Sequence, residues 1–221
     1  KDDPNSGGRQ MPSHWGHKEL NIVSASSPTG TQFVQSVGCA ETWLRLSQMP
    51  EDKRPDVPFH GDEVVLCTTG DGTTSEGEFW EALNSATNLT LPVVFLVEDN
   101  GYAISVPVEV NTPGGSISKL LVGFPGLFIQ EVDGCDPIAS YDTMVRAVEY
   151  CRQRKGPALV HAHVIRPYSH SLSDDEVLYR PASERDIEAP PDPLVTFTTQ
   201  PVAADIDTER GQESTPVIVD G

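Results

Sequence analysis

An α/β fold, a parallel sheet with helices on both faces, is what this sequence predicts. Three observations carry it. Val64-Val65-Leu66-Cys67 and Val93-Val94-Phe95-Leu96-Val97 are short, unbroken apolar runs of strand length. Strands buried on both faces look like this, whereas half-exposed ones alternate polar and apolar residues. These runs alternate with helix-period segments, the order that builds parallel sheets. Glycine, aspartate and asparagine stand at the ends of the runs, where open α/β sheets bind ligands.

The elements follow in chain order. From Gly30 to about Gln48, Phe33, Val37, Ala40 and Leu44 recur at steps of three and four and predict a helix. Pro50 to Gly61 is a charged loop with prolines. Val64 to Thr69 is a strand, Ser75 to about Asn88 a helix, and Val93 to Val97 a second strand. Val108 to Gly126 reads as an irregular connection containing Gly114-Gly115. Leu127 to Val132 is a third strand. Pro137 to Arg154 is a helix with Pro in its first turn and Asp136 as its N-cap. Ala158 to Ile165 is a fourth strand. Residues 181–221 hold six prolines, nine acidic residues and two basic ones, with no apolar periodicity. They read as an acidic, Pro-rich linker or tail after a folded domain at 1–180. Within that tail Pro216-Val217-Ile218-Val219 reads as the opening strand of a further domain.

Composition narrows the function. At 221 residues there is room for one ordinary domain and a tail. A net charge of -18 argues against nucleic acid and against an anionic membrane surface, both of which call for clustered Lys and Arg. No apolar run approaches the ~20 residues that span a bilayer. The first residues are polar and acidic, with no signal-peptide pattern. Cys39, Cys67, Cys135 and Cys151 show no metal or CxxC spacing and read as reduced thiols. A motif-rich segment begins within ten residues, without an initiator Met, so the chain is expected to be a piece of something longer.

The chemistry concentrates in Gly70-Asp71-Gly72, then 26 residues, then Asp99-Asn100-Gly101-Tyr102. One strand-helix-strand unit brings Asp71 and Asn100 to neighbouring strand ends. Carboxylate, amide and backbone carbonyl are hard oxygen donors, suited to Mg²⁺ beside a diphosphate. The glycines admit close backbone approach, and the helix start adds donors and a favourable dipole. A lone Gly-Asp-Gly is an ordinary turn; the companion Asn100 is what makes the pair a metal-diphosphate motif. His161 and His163 alternate with apolar residues on a strand, so one is expected to be buried and hydrogen-bonded rather than part of a metal site. Trp43, Phe79 and Trp80 read as packing or interface residues.

Gly70 to Gly77, Glu81-Ala82-Leu83-Asn84, Leu91 to Phe95 and Asn100 to Ser105 resemble the alpha subunit of the decarboxylating first component of 2-oxoacid dehydrogenase complexes, a thiamine-diphosphate enzyme. The resemblance covers roughly residues 5–180. It implies a thiamine-diphosphate-binding fold in which Asp71, Asn100 and the Tyr102 carbonyl ligate Mg²⁺, and Gly70, Gly72, Thr73 and Ile104 lie against the cofactor. One departure is visible: Asp99 stands where the family usually has the first of two asparagines. Gly8 to Gly16 and Ser26 to Gln32 resemble the branched-chain type more than the pyruvate type. That likeness puts Ser27 and Thr29 near the cofactor and Arg9 and His14 at the substrate entrance. Arg166 to Asp175, in which composition alone would see a polar surface loop, resembles the family's active-site loop. His170 would then position cofactor or substrate and move a proton near neutrality. Ser171 matches a phosphorylated position in some members, where added charge would repel the diphosphate.

The implied reaction is oxidative decarboxylation of a 2-oxoacid, a branched-chain one such as 3-methyl-2-oxobutanoate being favoured, with acyl transfer to a lipoyl group on a partner acyltransferase. In this family the glutamate that activates the cofactor belongs to a beta half, so a beta-type subunit or fused domain and a hetero-oligomer are implied. A bacterial cytoplasm is favoured over a mitochondrial matrix. The alternatives are a pyruvate or acetoin dehydrogenase alpha subunit and, from another class, a non-catalytic fragment of the same fold. Cofactor binding separates the last from the others.

Overall fold

A computed structural model describes residues 3, 6–9, 11, 13–188 and 192–194. Its centre is a four-stranded sheet with every neighbouring pair parallel. Helix α1 (Thr31–Gln48) leads to β1 (Val65–Gly70), α2 (Gly77–Leu89) and β2 (Val93–Asp99). A small antiparallel hairpin follows, β3 (Tyr102–Ala103) and β4 (Val106–Pro107), then the short helices α3 (Val108–Asn111) and α4 (Ile117–Leu120). β5 (Phe128–Asp133), α5 (Pro137–Arg152) and β6 (Ala158–His163) complete the sheet, and α6 (Ala182–Glu188) follows. Strand order is β1-β2-β6-β5.

Side-chain alternation in the central strand divides the core. Val93, Phe95 and Val97 of β2 join Phe33, Ala40, Phe79, Ala82, Leu83 and Ala86 from α1 and α2. Val94 instead joins Val160 of β6 and Ala147 and Cys151 of α5. Both faces are therefore covered, which is why these runs are continuously apolar. The Asp136 carboxylate accepts from the N–H groups of Ile138 and Ala139 at 3.0 Å each, the expected cap of α5. All four cysteines are free, and burial pushes the thiols of Cys67 and Cys151 up to about 11 and 12.

Three boundaries differ from the sequence reading. Helix α2 begins at Gly77, because residues 72–75 first make a 3₁₀ turn closed by Thr74. Its N–H and Oγ–H both donate to the Asp71 carbonyl, at 3.1 and 2.6 Å. The connection after β2 is not irregular: it carries a hairpin and two short helices. Residues 182–188 are helical, and Glu184 is held by Arg180 at 3.3 Å and by the Tyr102 hydroxyl at 3.1 Å. The strand expected at Pro216–Val219 lies outside the described residues.

Candidate functional site

Parallel strands leave all their carboxyl ends on one edge of the sheet, so Asp71, Asn100 and the segment after His163 emerge side by side. The register pairs Gly70 with Glu98 and Asp99 with His163. Asp71 is 2% exposed, and its Oδ2 is buried without a hydrogen-bond partner among the described residues. Burial raises its pKa first and the charge of Asp99 raises it second, against backbone N–H groups including those of Asn100 and Gly72. A buried carboxylate oxygen with nothing donating to it, beside a second carboxylate, is an environment that a cation completes. The donor types present, carboxylate, amide and carbonyl, fit Mg²⁺.

The turn after β2 is built by its own side chains. Gly101 N–H donates to Asp99 Oδ1 at 2.8 Å, and Tyr102 N–H donates to Asn100 Oδ1 at 3.2 Å. Gly101 has φ +80°, which only glycine adopts freely. Ile104 at the hairpin tip has φ +58° and is half exposed. A β-branched residue there is strained, and such strain concentrates at functional sites. Gly72 sits beneath this hairpin: a Cβ there would lie 2.6 Å from Ala103 Cβ and 3.1 Å from its Cα. Gly72→Ala is therefore expected to push the hairpin off the Asp71 turn and cost about 1–3 kcal/mol. Urea unfolding of Gly72→Ala and of Gly72→Ala/Ala103→Gly checks this; the second change should recover part of the loss.

The segment after β6 folds back on the same hairpin. Arg166 donates to the Ile104 carbonyl at 2.9 Å and to the Tyr179 hydroxyl at 2.7 Å. That hydroxyl donates to Asp174 Oδ2 at 2.6 Å, which also accepts from His170 N–H at 2.9 Å. The His170 loop is thus tied through Asp174, Tyr179 and Arg166 to Ile104, while the imidazole itself faces solvent on an exposed residue. The Asp174 carboxyl is held below the usual range, first by the Tyr179 hydroxyl. The Arg180 guanidinium lies 5.3 Å from the Tyr102 ring centroid and is bridged to Glu176 at 3.0 Å.

The N-terminal residues sit more loosely. Ser27 Oγ and His14 Nε2 are 3.1 Å apart, which brings two of the expected residues together. Thr29 precedes Gly30, the N-cap of α1, where an added Cβ would lie 3.1 Å from Glu76 Cβ at the head of α2. Thr73 lies in the turn after Asp71. Arg9 is exposed and donates to the Ser6 carbonyl at 3.0 Å within its own turn. The structure therefore joins Asp71, Asn100, Tyr102, Ile104 and the His170 loop through a continuous set of contacts.

One of the two β6 histidines is buried and hydrogen-bonded, as the sequence predicts; its partners, a polar chain behind the turn, are what sequence reasoning missed. His161 is fully buried, with Nε2 2.8 Å from Asp99 Oδ2 and Nδ1 3.0 Å from Ser118 Oγ. Ser118 in turn donates to Glu131. Burial opposes ionisation of Asp99, but His161, Gly101 N–H and His163 together hold its carboxyl below the usual range. Parity could have revealed the chain: Asp99, His161 and Glu131 fall on the face shared with Phe95, Leu159 and Ile129.

An α/β sheet with a buried carboxylate oxygen left without a donor among the described residues and an Asx-type turn at adjacent strand ends is an environment suited to a cation beside an anionic ligand at the sheet edge. The chain belongs to the dehydrogenase E1 component family, whose model matches residues 1–215. It is 38% identical over 197 residues to 2-oxoisovalerate dehydrogenase subunit alpha of Bacillus subtilis, covering 88% of this chain and 55% of that one. It is 38% identical over 176 residues to 3-methyl-2-oxobutanoate dehydrogenase subunit alpha of Mycobacterium tuberculosis H37Rv, covering 79% and 44%. Against the human mitochondrial 2-oxoisovalerate dehydrogenase subunit alpha the figures are 36% over 177 residues, covering 80% and 37%. The chain thus spans about half or less of the length of these relatives. No helix among the described residues is long and apolar enough to cross a membrane.

Proposed function

We propose that this chain is the cofactor-holding alpha part of a thiamine-diphosphate-dependent 2-oxoacid dehydrogenase, acting on branched-chain 2-oxoacids such as 3-methyl-2-oxobutanoate. The observation that carries the reading is the buried, unpartnered Oδ2 of Asp71 beside the Asn100 turn. The family and the names of the relatives support it. Asp71, Asn100 and the Tyr102 carbonyl would hold Mg²⁺, with Gly70, Gly72 and Thr73 lining the diphosphate. Thiamine diphosphate, when bound, supplies the electron sink for decarboxylation.

The chain's own residues position and exclude. Ile104, held at positive φ and braced through Arg166, would present an apolar wall to the cofactor. His170, on the loop fastened by Asp174, would position the cofactor or the substrate carboxylate and transfer a proton during acyl handover. Ser27 and Thr29 reach the cofactor from the start of α1, and His14, bonded to Ser27, marks the substrate entrance with Arg9. A beta-type subunit or fused domain supplies the activating carboxylate, and a lipoyl-bearing acyltransferase takes the acyl group. Bacterial relatives match at 38% identity, and a bacterial cytoplasm is the compartment we favour.

Reconstitution tests this. The chain with a beta-type partner, Mg²⁺ and thiamine diphosphate should release CO₂ from 3-methyl-2-oxobutanoate faster than from pyruvate, and the chain alone should release none. Preference for pyruvate or acetoin would move the substrate assignment. Turnover by the isolated chain would overturn the two-part site, and calorimetry showing no cofactor binding to the assembly would leave a non-catalytic fragment.

A further inference from the structure

We propose that Asp99, His161 and His163 form a second cation site, for a borderline divalent ion of the Zn²⁺ class, with a donor set separate from the oxygen ligands at Asp71. His161 and His163 are two apart on β6, so both rings stand on one face of the sheet. The parallel register sets Asp99 of β2 directly opposite His163. The ligand atoms of the three residues all lie within 4.8 Å of one another. Nε2 of His161 is already 2.8 Å from Asp99 Oδ2, and the two imidazole centroids are 4.3 Å apart.

The donor chemistry selects the ion. Two imidazoles and one carboxylate suit zinc and its neighbours, whereas Mg²⁺ takes oxygen. The surroundings of His161 match those of a ligating histidine, whose remote ring nitrogen is fixed by an oxygen partner. Nδ1 is 3.0 Å from Ser118 Oγ, and Ser118 donates to Glu131, so ring orientation is set before any ion arrives. Asp99 Oδ1 is engaged by Gly101 N–H, leaving Oδ2 to face the histidines. Asp99 and His161 are buried and the His163 side chain is 54% exposed, which gives the ion a path in past one exposed ring. A tetrahedral site with bonds of about 2.0–2.1 Å spaces its ligands by about 3.3 Å, so the 2.8 Å His161–Asp99 pair opens slightly and gives up its proton while His163 swings in. Glu131, whose Oε2 lies 3.8 Å from His163 Nε2, or water fills the fourth position. Such an ion would tie β2 to β6 immediately before the Asn100 turn.

The full chain, stripped with a chelator and held in excess Mg²⁺, is titrated with Co²⁺ as a coloured stand-in for Zn²⁺. One equivalent should bind, with the visible absorption of a four-coordinate nitrogen-oxygen site, and Zn²⁺ should displace it. His163→Ala, at a half-exposed position that spares the fold, should weaken binding by at least the roughly 10- to 100-fold that losing even an outer partner costs. Asp71→Asn should leave the spectrum intact. No absorption in the wild-type chain, unaltered binding in His163→Ala, or equal loss in Asp71→Asn would each overturn the proposal and reduce the cluster to a hydrogen-bonded brace. Thiamine diphosphate is absent from this titration, so it can fail independently of the proposed enzyme function.

Discussion

Asp71→Asn is expected to abolish magnesium-dependent binding of thiamine diphosphate while making the metal-free chain more stable near neutral pH. Both effects come from one environment. Asp71 Oδ2 is buried with no donor among the described residues, and Asp99 stands close enough to raise its pKa further. The folded pKa therefore lies above the unfolded value of about 3.9. For a carboxyl with a raised pKa, the favourable contribution is complete below the unfolded value and is lost as pH rises through the folded one. Near neutral pH the ionised group is a cost to the empty fold, which a cation removes. Asparagine keeps the shape and removes the charge. Thermal unfolding of the metal-free Asn variant should show a higher midpoint near neutrality and no advantage in mild acid. Calorimetry on the assembly with its beta-type partner should show affinity for thiamine diphosphate and Mg²⁺ reduced beyond the roughly 10- to 100-fold of an outer-partner loss. Unchanged affinity would remove Asp71 from the ligand set; a lower midpoint near neutrality would refute the electrostatic account.

Phe79→Ala is expected to cost about 3–5 kcal/mol of folding stability, the largest effect of any single truncation considered. Phe79 is fully buried, with ring centroids at 5.1 Å from Phe33, 5.6 Å from Trp80 and 6.4 Å from Phe95. It therefore clamps α1, α2 and β2 at one point, and the latter two contacts are edge-on, the favoured aromatic geometry. A domain of ordinary stability holds about 5–15 kcal/mol, so this loss removes a third or more. Because α2 starts five residues after Gly72, loosening it also loosens the Asp71 turn. Urea denaturation measures the loss, and Phe79→Leu should recover much of it by filling the cavity. A loss under about 1 kcal/mol would show that the site collapses around alanine.

Much of this architecture was legible because its signals are local. Unbroken Val, Leu and Phe runs place β1 and β2, and Asp136-Pro137 places the start of α5 within its own side-chain hydrogen bonds. Asp71 and Asn100 were found as a pair because one strand-helix-strand unit fixes their separation. The hairpin Tyr102–Pro107 was not found: its strands are two residues each and are held by the Gly101 turn and the Val108 N–H to Gly101 carbonyl bond, not by a pattern. Helix α6 lies in a stretch whose composition reads as tail, because its anchor, Glu184, meets Tyr102 from 82 residues away.

The sequence by itself determined the parallel α/β class, the strand ends that carry Asp71 and Asn100, and the family likeness that the comparisons bear out. Periodicity, capping and turn chemistry act within a few residues and are written in the order of the chain. The tertiary structure decided which groups share an environment. It left Asp71 Oδ2 without a donor, set Asp99 against His161 and His163, and fastened the His170 loop to Ile104 through Arg166. Those outcomes depend on strand register and burial, which arise only when distant segments pack and water is excluded from between them.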